Sequence, residues 1–276
     1  TLSSLVGGDA TVRAYLEHVS AENLVGEVTV RFEVPPAVSI EILDPHLVDN
    51  QAGAVGEVLP QGARVRLLDA SGDPVVGEEV LFHVASGGGA LSGTNPILTD
   101  VHGIATAPDW TLGITAIVQT MEASVPRLHS LAPAVLTATI PAPTLPAAAD
   151  WTASGSGATV EDLGPESIRL RWNSTAYSAS WSYAFSADTS GPMDLDWVLQ
   201  ACHSWYQSTG LWRIQVVGPS GAQTTTLSSG GGCTRNASGS TSVIVHSGYT
   251  VRILISGSHY DGSRRLDGRF DLSRQP

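Results

Sequence analysis

Four residues in the last third of the chain have the types and spacing of a ligand-binding surface. Trp205 and Tyr206 are adjacent in CHSWYQSTG, and His259 and Tyr260 open the polar stretch HYDGSRRLDG. An exposed aromatic ring offers a large apolar face and one polar group, which suits stacking on a sugar ring or anchoring a protein partner. We therefore predict that these four residues contact a ligand.

Other aromatic residues of the same region have the spacing of a strand core. Trp181, Trp197 and Trp212 stand in the alternating stretches SWSYAF, LDWVL and LWRIQVV. Alternate residues of a strand point to the same face of a sheet, and large aromatic residues on the inner face become buried. We expect these three tryptophans to be core residues.

Cys202 and Cys233 are the two cysteines of the chain, and they flank a predicted hairpin, LWRIQVVGPSGAQTTTL. A disulfide between them would suit an oxidising compartment and contribute about 3–4 kcal/mol by loop entropy. Two free buried thiols are the alternative. Neither cysteine belongs to a C-x-x-C pair, so the spacing does not predict a zinc site.

Five aspartates are candidate calcium ligands, because oxygen-rich loops of β-sandwiches can hold this cation. Asp194 and Asp196 are two residues apart, and Asp261, Asp267 and Asp271 lie near the end of the sequence. The alternative is a set of solvated carboxylates paired with neighbouring arginines. No other cofactor is predicted.

Catalytic motifs are missing from the sequence. His83, His102 and Asp69 could form a set with a serine, but no G-x-S-x-G or H-E-x-x-H motif accompanies them.

Gly87, Gly88 and Gly89 follow a strand-like run as a phosphate loop would. Such a loop needs a following helix and a Lys-Ser or Lys-Thr pair, and the sequence contains no lysine. We predict that the chain is not an enzyme.

The charge distribution excludes nucleic acid as an expected partner. The net charge is −12, and residues 1–149 hold 16 acidic residues against 5 arginines. Binding to a nucleic-acid backbone needs basic clusters. No apolar run approaches the roughly 18 residues of a membrane span.

Short alternating segments separated by Gly, Pro and Asp predict an all-β protein. One example places Ala63, Val65 and Leu67 inward, and another alternating run covers Ile114 to Met121. The prolines and alanines of PAPTLPAAAD predict a stiff spacer. We expect the end of one immunoglobulin-like domain at 1–34, a complete one at 35–140, the linker at 141–150, and a jelly-roll-like sandwich at 151–276.

Residues 37–140 resemble the bacterial immunoglobulin-like repeats of the invasin and intimin type. The resemblance rests on NQAGAVGEVLP, LLDASGDPVVGEEVLFHVASGGGALSG and TDVHGIATAPDWTLG in this order. It implies that the glycine triplet is a tight turn that uses positive φ angles. It also implies an extracellular or cell-surface protein of adhesive or structural type.

The last segment resembles, loosely, the carbohydrate-binding and accessory sandwiches that end secreted bacterial proteins, above all in GYTVRILISGSHYDGSRRLDGRFDL. Two functions follow. In the first, the immunoglobulin-like domains are a stalk and the last sandwich contacts a protein partner or another copy in a surface assembly or filament. In the second, the sandwich is a carbohydrate-binding module of a larger secreted enzyme.

Overall fold

A computed structural model describes residues 8–15, 24–32, 35–203, 209–230, 234–258 and 266–275. The chain divides into two compact units, residues 1–113 with 118–139 and residues 114–117 with 140–276. Strands dominate both units, which confirms the predicted all-β class. In the described ranges, no helix is long and apolar enough to cross a membrane.

The first strands form a separate hairpin. β1 (Gly8–Tyr15) pairs antiparallel with β2 (Leu24–Phe32), with Val12 opposite Val28. The last two strands of the following domain, given below, have the same antiparallel arrangement. The assignment of residues 1–34 to the end of a preceding immunoglobulin-like domain stays a prediction.

Ten short strands and one helical turn follow. They are β3 (Ser39–Ile42), α1 (Pro45–Val48), β4 (Gln51–Ala52), β5 (Arg64–Leu68), β6 (Glu79–Ser86), β7 (Ala90–Ser92), β8 (Ile97–Leu98), β9 (Ile104–Thr106), β10 (Asp109–Thr111), β11 (Val118–Ser124) and β12 (Ala134–Thr139).

Their pairing is that of an immunoglobulin-like sandwich. One sheet has the order β4-β12-β11-β6-β8, the other β3-β5-β9, and β7 pairs with β10. β4 lies parallel to β12, whereas the other neighbours in these sheets are antiparallel. Val65 and Leu67 of β5 are fully buried, as the alternation predicts, together with Met121 and Leu136.

The glycine triplet uses two different properties of glycine. Gly87 and Gly88 have φ angles of 93° and 69°, which confirms the expected turn. Gly89 does not adopt positive φ, so that part of the prediction is wrong. A Cβ on Gly89 would lie 2.4 Å from the carbonyl oxygen of Thr111, and close approach of two backbones is therefore the reason for glycine there.

The strand predicted over Ile114 to Met121 begins only at Val118. The buried side chain of Gln119 explains the late start. Its Nε2 donates to the carbonyl of Gly113, and its Oε1 accepts the Gly113 amide, each at 2.8 Å. These bonds close a loop over residues 113–119, and within it the carbonyl of Ile117 accepts the amide of Ile140 at 3.0 Å just before the β11–β12 ladder begins.

The described part of the second unit contains ten strands, and a short 3₁₀ turn (Ala148–Asp150) precedes them. They are β13 (Thr152–Ser154), β14 (Thr159–Gly164), β15 (Ser167–Ser174), β16 (Ser178–Ser186), β17 (Gly191–His203), β18 (Thr209–Gly218), β19 (Gly221–Gly230), β20 (Thr234–Val245), β21 (Thr250–Ser258) and β22 (Leu266–Arg274).

These strands form the predicted jelly roll. The two five-stranded sheets have the orders β13-β16-β21-β18-β19 and β14-β15-β22-β17-β20. From β15 to β22 the chain passes repeatedly from one sheet to the other, so that two interleaved Greek keys enclose one apolar core. β18 and β19 are the hairpin predicted between the cysteines.

Tryptophans fill this core, and glycines make room for them. Trp181, Trp197 and Trp212 are at most 7% exposed, which confirms their prediction as core residues. Gly239 lies opposite Trp197 in the ladder, and a Cβ there would come within 2.7 Å of the indole.

The predicted spacer is held against the second unit. Leu145 is buried, and its amide donates to a carboxylate oxygen of Glu166 at 2.9 Å. The Thr144 hydroxyl donates to Asp188 at 2.7 Å. Burial raises the pKa of Asp188, but the hydrogen bonds that Asp188 accepts from Thr144 and Thr189 outweigh burial and keep this pKa below its ordinary value. Residues 144 and 145 thus belong to the sandwich as well as to the linker.

Candidate functional site

A groove of about 510 Å³ lies on the outer face of the sheet β14-β15-β22-β17-β20. Its floor is one row across the sheet, with one residue from each strand in register: Thr159, Arg171, Arg269, Gln200 and Asn236. Neighbouring strands are about 4.8 Å apart, so the row extends over roughly 19 Å. Five separate strands therefore present polar side chains along one line.

A second pair borders this row. Asn173 and Asp267 lie opposite each other, one outward position further along β15 and β22. The loop before β14 covers Asn173 so closely that a Cβ on Gly157 would lie 2.8 Å from the Cβ of Asn173. The groove thus has a wall as well as a floor.

Among the described residues, three arginines project from this sheet face, and two of them have carboxylate partners. Arg169 makes two hydrogen bonds of 2.7 Å with Asp271, and these bonds raise the pKa of Arg169. Arg171 donates to Glu161 at 2.8 Å. Arg269 makes no ion pair or hydrogen bond within the described ranges, and its Nε is enclosed without a partner.

The core fixes the floor from below. The hydroxyl of Tyr183, buried on the opposite sheet, donates to the carbonyl of Arg171. Burial raises the pKa of this phenol, so the hydroxyl stays protonated. Trp172 packs under Gly268, where an added Cβ would lie 2.4 Å from the indole. The groove residues are therefore held on a rigid surface.

The chemistry that the groove offers is hydrogen bonding. Its lining combines guanidinium, amide, carboxylate and hydroxyl groups, and Trp172 is the one aromatic residue among the described lining residues. Trp172 is only 4% exposed. The volume is within the roughly 300–1,000 Å³ typical of ligand pockets, which are usually more apolar. A polar ligand with many donors and acceptors fits this lining best.

The four predicted ligand residues, Trp205, Tyr206, His259 and Tyr260, lie outside the described residues. The strands that lead into and out of their segments end at the same end of the sandwich, where His203 pairs with Leu266 and Thr209 pairs with Ser258. This end adjoins the groove, because Asp267 follows Leu266.

The disulfide also stays a prediction, since Cys233 lies outside the described residues. The backbone of Cys202 pairs with Thr234, the residue that follows Cys233 in the sequence.

The candidate calcium ligands do not converge within the described part of the chain, where no group of three or more His, Cys, Asp or Glu side chains could hold a metal ion. Asp271 pairs with Arg169, and Asp196 accepts a hydrogen bond from Gln275 at 2.7 Å. Asp194 and Asp267 lie on the same sheet face, and Asp261 is outside the described residues.

The three residues considered for a catalytic set, His83, Asp69 and His102, each have a separate partner. His83 is exposed on β6, 3.9 Å from Glu122. Asp69 accepts the amides of Ser71 and Asp73 and so shapes a turn. The His102 amide donates to Asp100 in another turn.

Sequence reasoning missed the groove itself. Arg171 and Arg269 occupy outward positions of SIRLRW and GRFDL, which alternation alone identifies. Their juxtaposition with Gln200 and Asn236 depends on which strands are neighbours, and the sequence does not specify that.

No protein-family model and no curated protein matches the chain. Among solved structures, a carbohydrate-binding module in complex with β-1,4-galactotriose aligns with 13% identity and a TM-score of 0.30, over 47% of this chain and 91% of that one. InvD of Yersinia pseudotuberculosis aligns with 14% identity and a TM-score of 0.32, over 87% of this chain and 65% of InvD.

A further structure, described under the promiscuous specificity of carbohydrate-binding modules of the β-sandwich superfamily, aligns with 9% identity and a TM-score of 0.23, over 85% of this chain and 97% of that one. Similarity at this level transfers no function to the chain.

Proposed function

We propose that the chain is a non-enzymatic, extracellular adhesive protein whose jelly roll binds carbohydrate in the groove on its outer sheet face. The immunoglobulin-like part, of the invasin and intimin type, serves as the stalk. The observation that carries the proposal is the row of five polar side chains on five adjacent strands.

A sugar fits this row because its hydroxyls both donate and accept hydrogen bonds. Gln200 and Asn236 present amides that can pair with two neighbouring hydroxyls in both directions. Asp267 can accept from hydroxyl donors, and Arg269 can donate to ring or hydroxyl oxygens. Both amides are exposed and outward-facing, so they are free of any core-packing role.

The strand surface also suits binding without large rearrangement. All five floor residues stand on strands, and Arg171 is tied to the opposite sheet through Tyr183. Side chains on such a scaffold lose little freedom on binding, which favours affinity.

A glycan array probed with the full chain tests the proposal, followed by calorimetric titration of the glycans that bind. Gln200→Ala and Asn236→Ala should each weaken binding about three- to tenfold, as expected for the loss of one or two hydrogen bonds. Gln215→Ala is the matched control, because Gln215 stands on β18 in the opposite sheet. Absence of glycan binding, or equal affinity of both groove variants and the wild type, would refute the proposal.

A second candidate is self-association, favoured by the edge strand β20. This strand is 12 residues long, pairs only with β17 among the described strands, and carries neither charge nor proline from Asn236 to Val245. Long uncharged edges pair readily with a strand of another molecule. Light scattering tests this candidate: a second copy paired there gives dimers or polymers that Ser242→Lys dissociates, and a monomer at all concentrations excludes it.

A further inference from the structure

Arg269 is the one arginine of the groove face that the fold leaves without a carboxylate within the described residues. Arg169 and Arg171 are paired with Asp271 and Glu161. Neither residue directly opposite Arg269 is acidic, because its two cross-strand neighbours are Arg171 and Gln200. The Arg269 side chain lines the groove, and its terminal nitrogens have no hydrogen-bond partner in the described ranges.

The juxtaposition of Arg171 and Arg269 destabilises the sheet when no ligand is bound. Like charges directly opposite each other on neighbouring strands destabilise a sheet, and Arg171 and Arg269 form such a pair. Glu161 forms an ion pair with Arg171, whereas no carboxylate of the described residues forms an ion pair with Arg269, although Asp267 lies on the same face. An anionic group bound beside Arg269 would supply the missing partner.

The face as a whole is not a general anion-binding patch. Arg169, Arg171 and Arg269 are balanced by Glu161, Asp267 and Asp271, which lie on the same surface. A polyanion would meet these carboxylates as well as the arginines. A ligand with one negative group and several hydroxyls matches the pattern, since the hydroxyls can donate to Asp267.

We propose that the groove selects acidic sugars, with the acid group of one sugar residue bound by the terminal nitrogens of Arg269. Gln200 and Asn236 lie next in the row and take hydroxyls of the same or the adjoining sugar. Asp267, which lies two residues before Arg269 on the same face, accepts hydrogen bonds from two hydroxyls of the sugar. This inference rests on the proposed carbohydrate-binding function and narrows its ligand to carboxylated or sulfated sugars.

Matched ligands separate the inference from the function on which it rests. The full chain is titrated with galacturonate and mannuronate tetramers, with the methyl ester of each, and with a neutral and a sulfated galactose tetramer. Esterification removes the charge and leaves the hydroxyls in place. We expect the acid to bind at least about tenfold more tightly than its ester, because hydrogen bonds between charged groups are the stronger ones.

Three outcomes have different meanings. Preference for an acidic ligand supports the inference, and comparison of the uronates with the sulfated tetramer identifies the acid group. Equal binding of acid, ester and neutral sugar overturns the inference and leaves carbohydrate binding intact. Binding of none of these ligands, together with an empty glycan array, overturns both.

Variants of Arg269 supply the second measurement. Arg269→Gln should abolish the preference for acid over ester, because the glutamine carries no charge, while the loss of a hydrogen-bond donor weakens the acid and the ester forms alike. Arg269→Lys should keep part of the preference, because it retains the charge but not the planar fork. Arg252→Gln is the control, since Arg252 stands on the outer face of the opposite sheet and carries the same charge. An acid preference that survives Arg269→Gln refutes the assignment.

Discussion

Gly268 is the residue on which the floor of the groove and the core beneath it both depend. In the ladder it lies opposite Trp172, and an added Cβ would meet Cζ2 of the indole at 2.4 Å and the carbonyl oxygen of Gln200 at 2.8 Å. Trp172 is 4% exposed and its ring contacts that of Trp181 at a centroid distance of 6.1 Å, so it has little room to move.

Gly268→Ala should therefore destabilise the jelly roll. Overpacking of this kind costs about 1–3 kcal/mol. For a domain of this size, that corresponds to a fall in melting temperature of roughly 3–12 °C. Urea titration monitored by tryptophan fluorescence measures the free energy of unfolding directly. Because Gln200 must shift with its carbonyl, the same variant should also weaken any ligand bound in the groove.

A double-mutant cycle tests the cause. Trp172→Phe shortens the ring that the new methyl group would strike, so the Gly268→Ala/Trp172→Phe protein should be at least about 1 kcal/mol more stable than the sum of the single changes predicts. Gly62→Ala is the control, since a Cβ there has no neighbour closer than 3.7 Å. Additive single effects, or a Gly268→Ala protein as stable as the Gly62→Ala control, would refute the steric explanation.

Two further predictions concern the immunoglobulin-like unit. Gln119→Ala should cost about 2–5 kcal/mol in urea unfolding, because it leaves the buried amide and carbonyl of Gly113 without partners; an effect below about 1 kcal/mol would mean that water replaces the side chain. The amides of Ile104 and His102 hold the pKa of Asp100 below its ordinary value. This contribution to stability is present above the unfolded pKa of about 4 and is lost as the pH falls through the lower native pKa. Carboxyl ¹³C NMR should give a titration midpoint below that of an aspartate without amide donors, and Asp100→Asn should remove this part of the pH dependence.

For the linker, local composition and tertiary contacts indicate different roles. PAPTLPAAAD has the composition of an extended spacer. In the structure, the Trp151 indole donates to the Pro146 carbonyl at 3.1 Å and Leu145 is buried. Proline fixes the extended backbone in both descriptions, but only the contacts show that the segment is bound to the sandwich.

Alternation of apolar and polar residues was sufficient to predict most strands of the second unit. Seven alternating stretches of the last 126 residues correspond to strands β15 to β18 and β20 to β22, because alternation of apolar and polar residues follows directly from the two-residue period of a strand. The sequence missed β13 and β14. The strand β19 was predicted from the hairpin stretch LWRIQVVGPSGAQTTTL and not from alternation, because β19 is largely exposed and its run of threonines has no apolar alternation. The helical turn α1 was missed as well.

Alternation within single strands thus predicted the fold class and the inward position of Trp181, Trp197 and Trp212. Which strands are neighbours is visible only in the folded protein. Their pairing brings Arg171 next to Arg269, 98 residues further along the chain, and Gln200 next to Asn236. Strand alternation is a local property of the backbone, whereas pairing between distant strands depends on how the whole core closes, and the groove exists only after that closure.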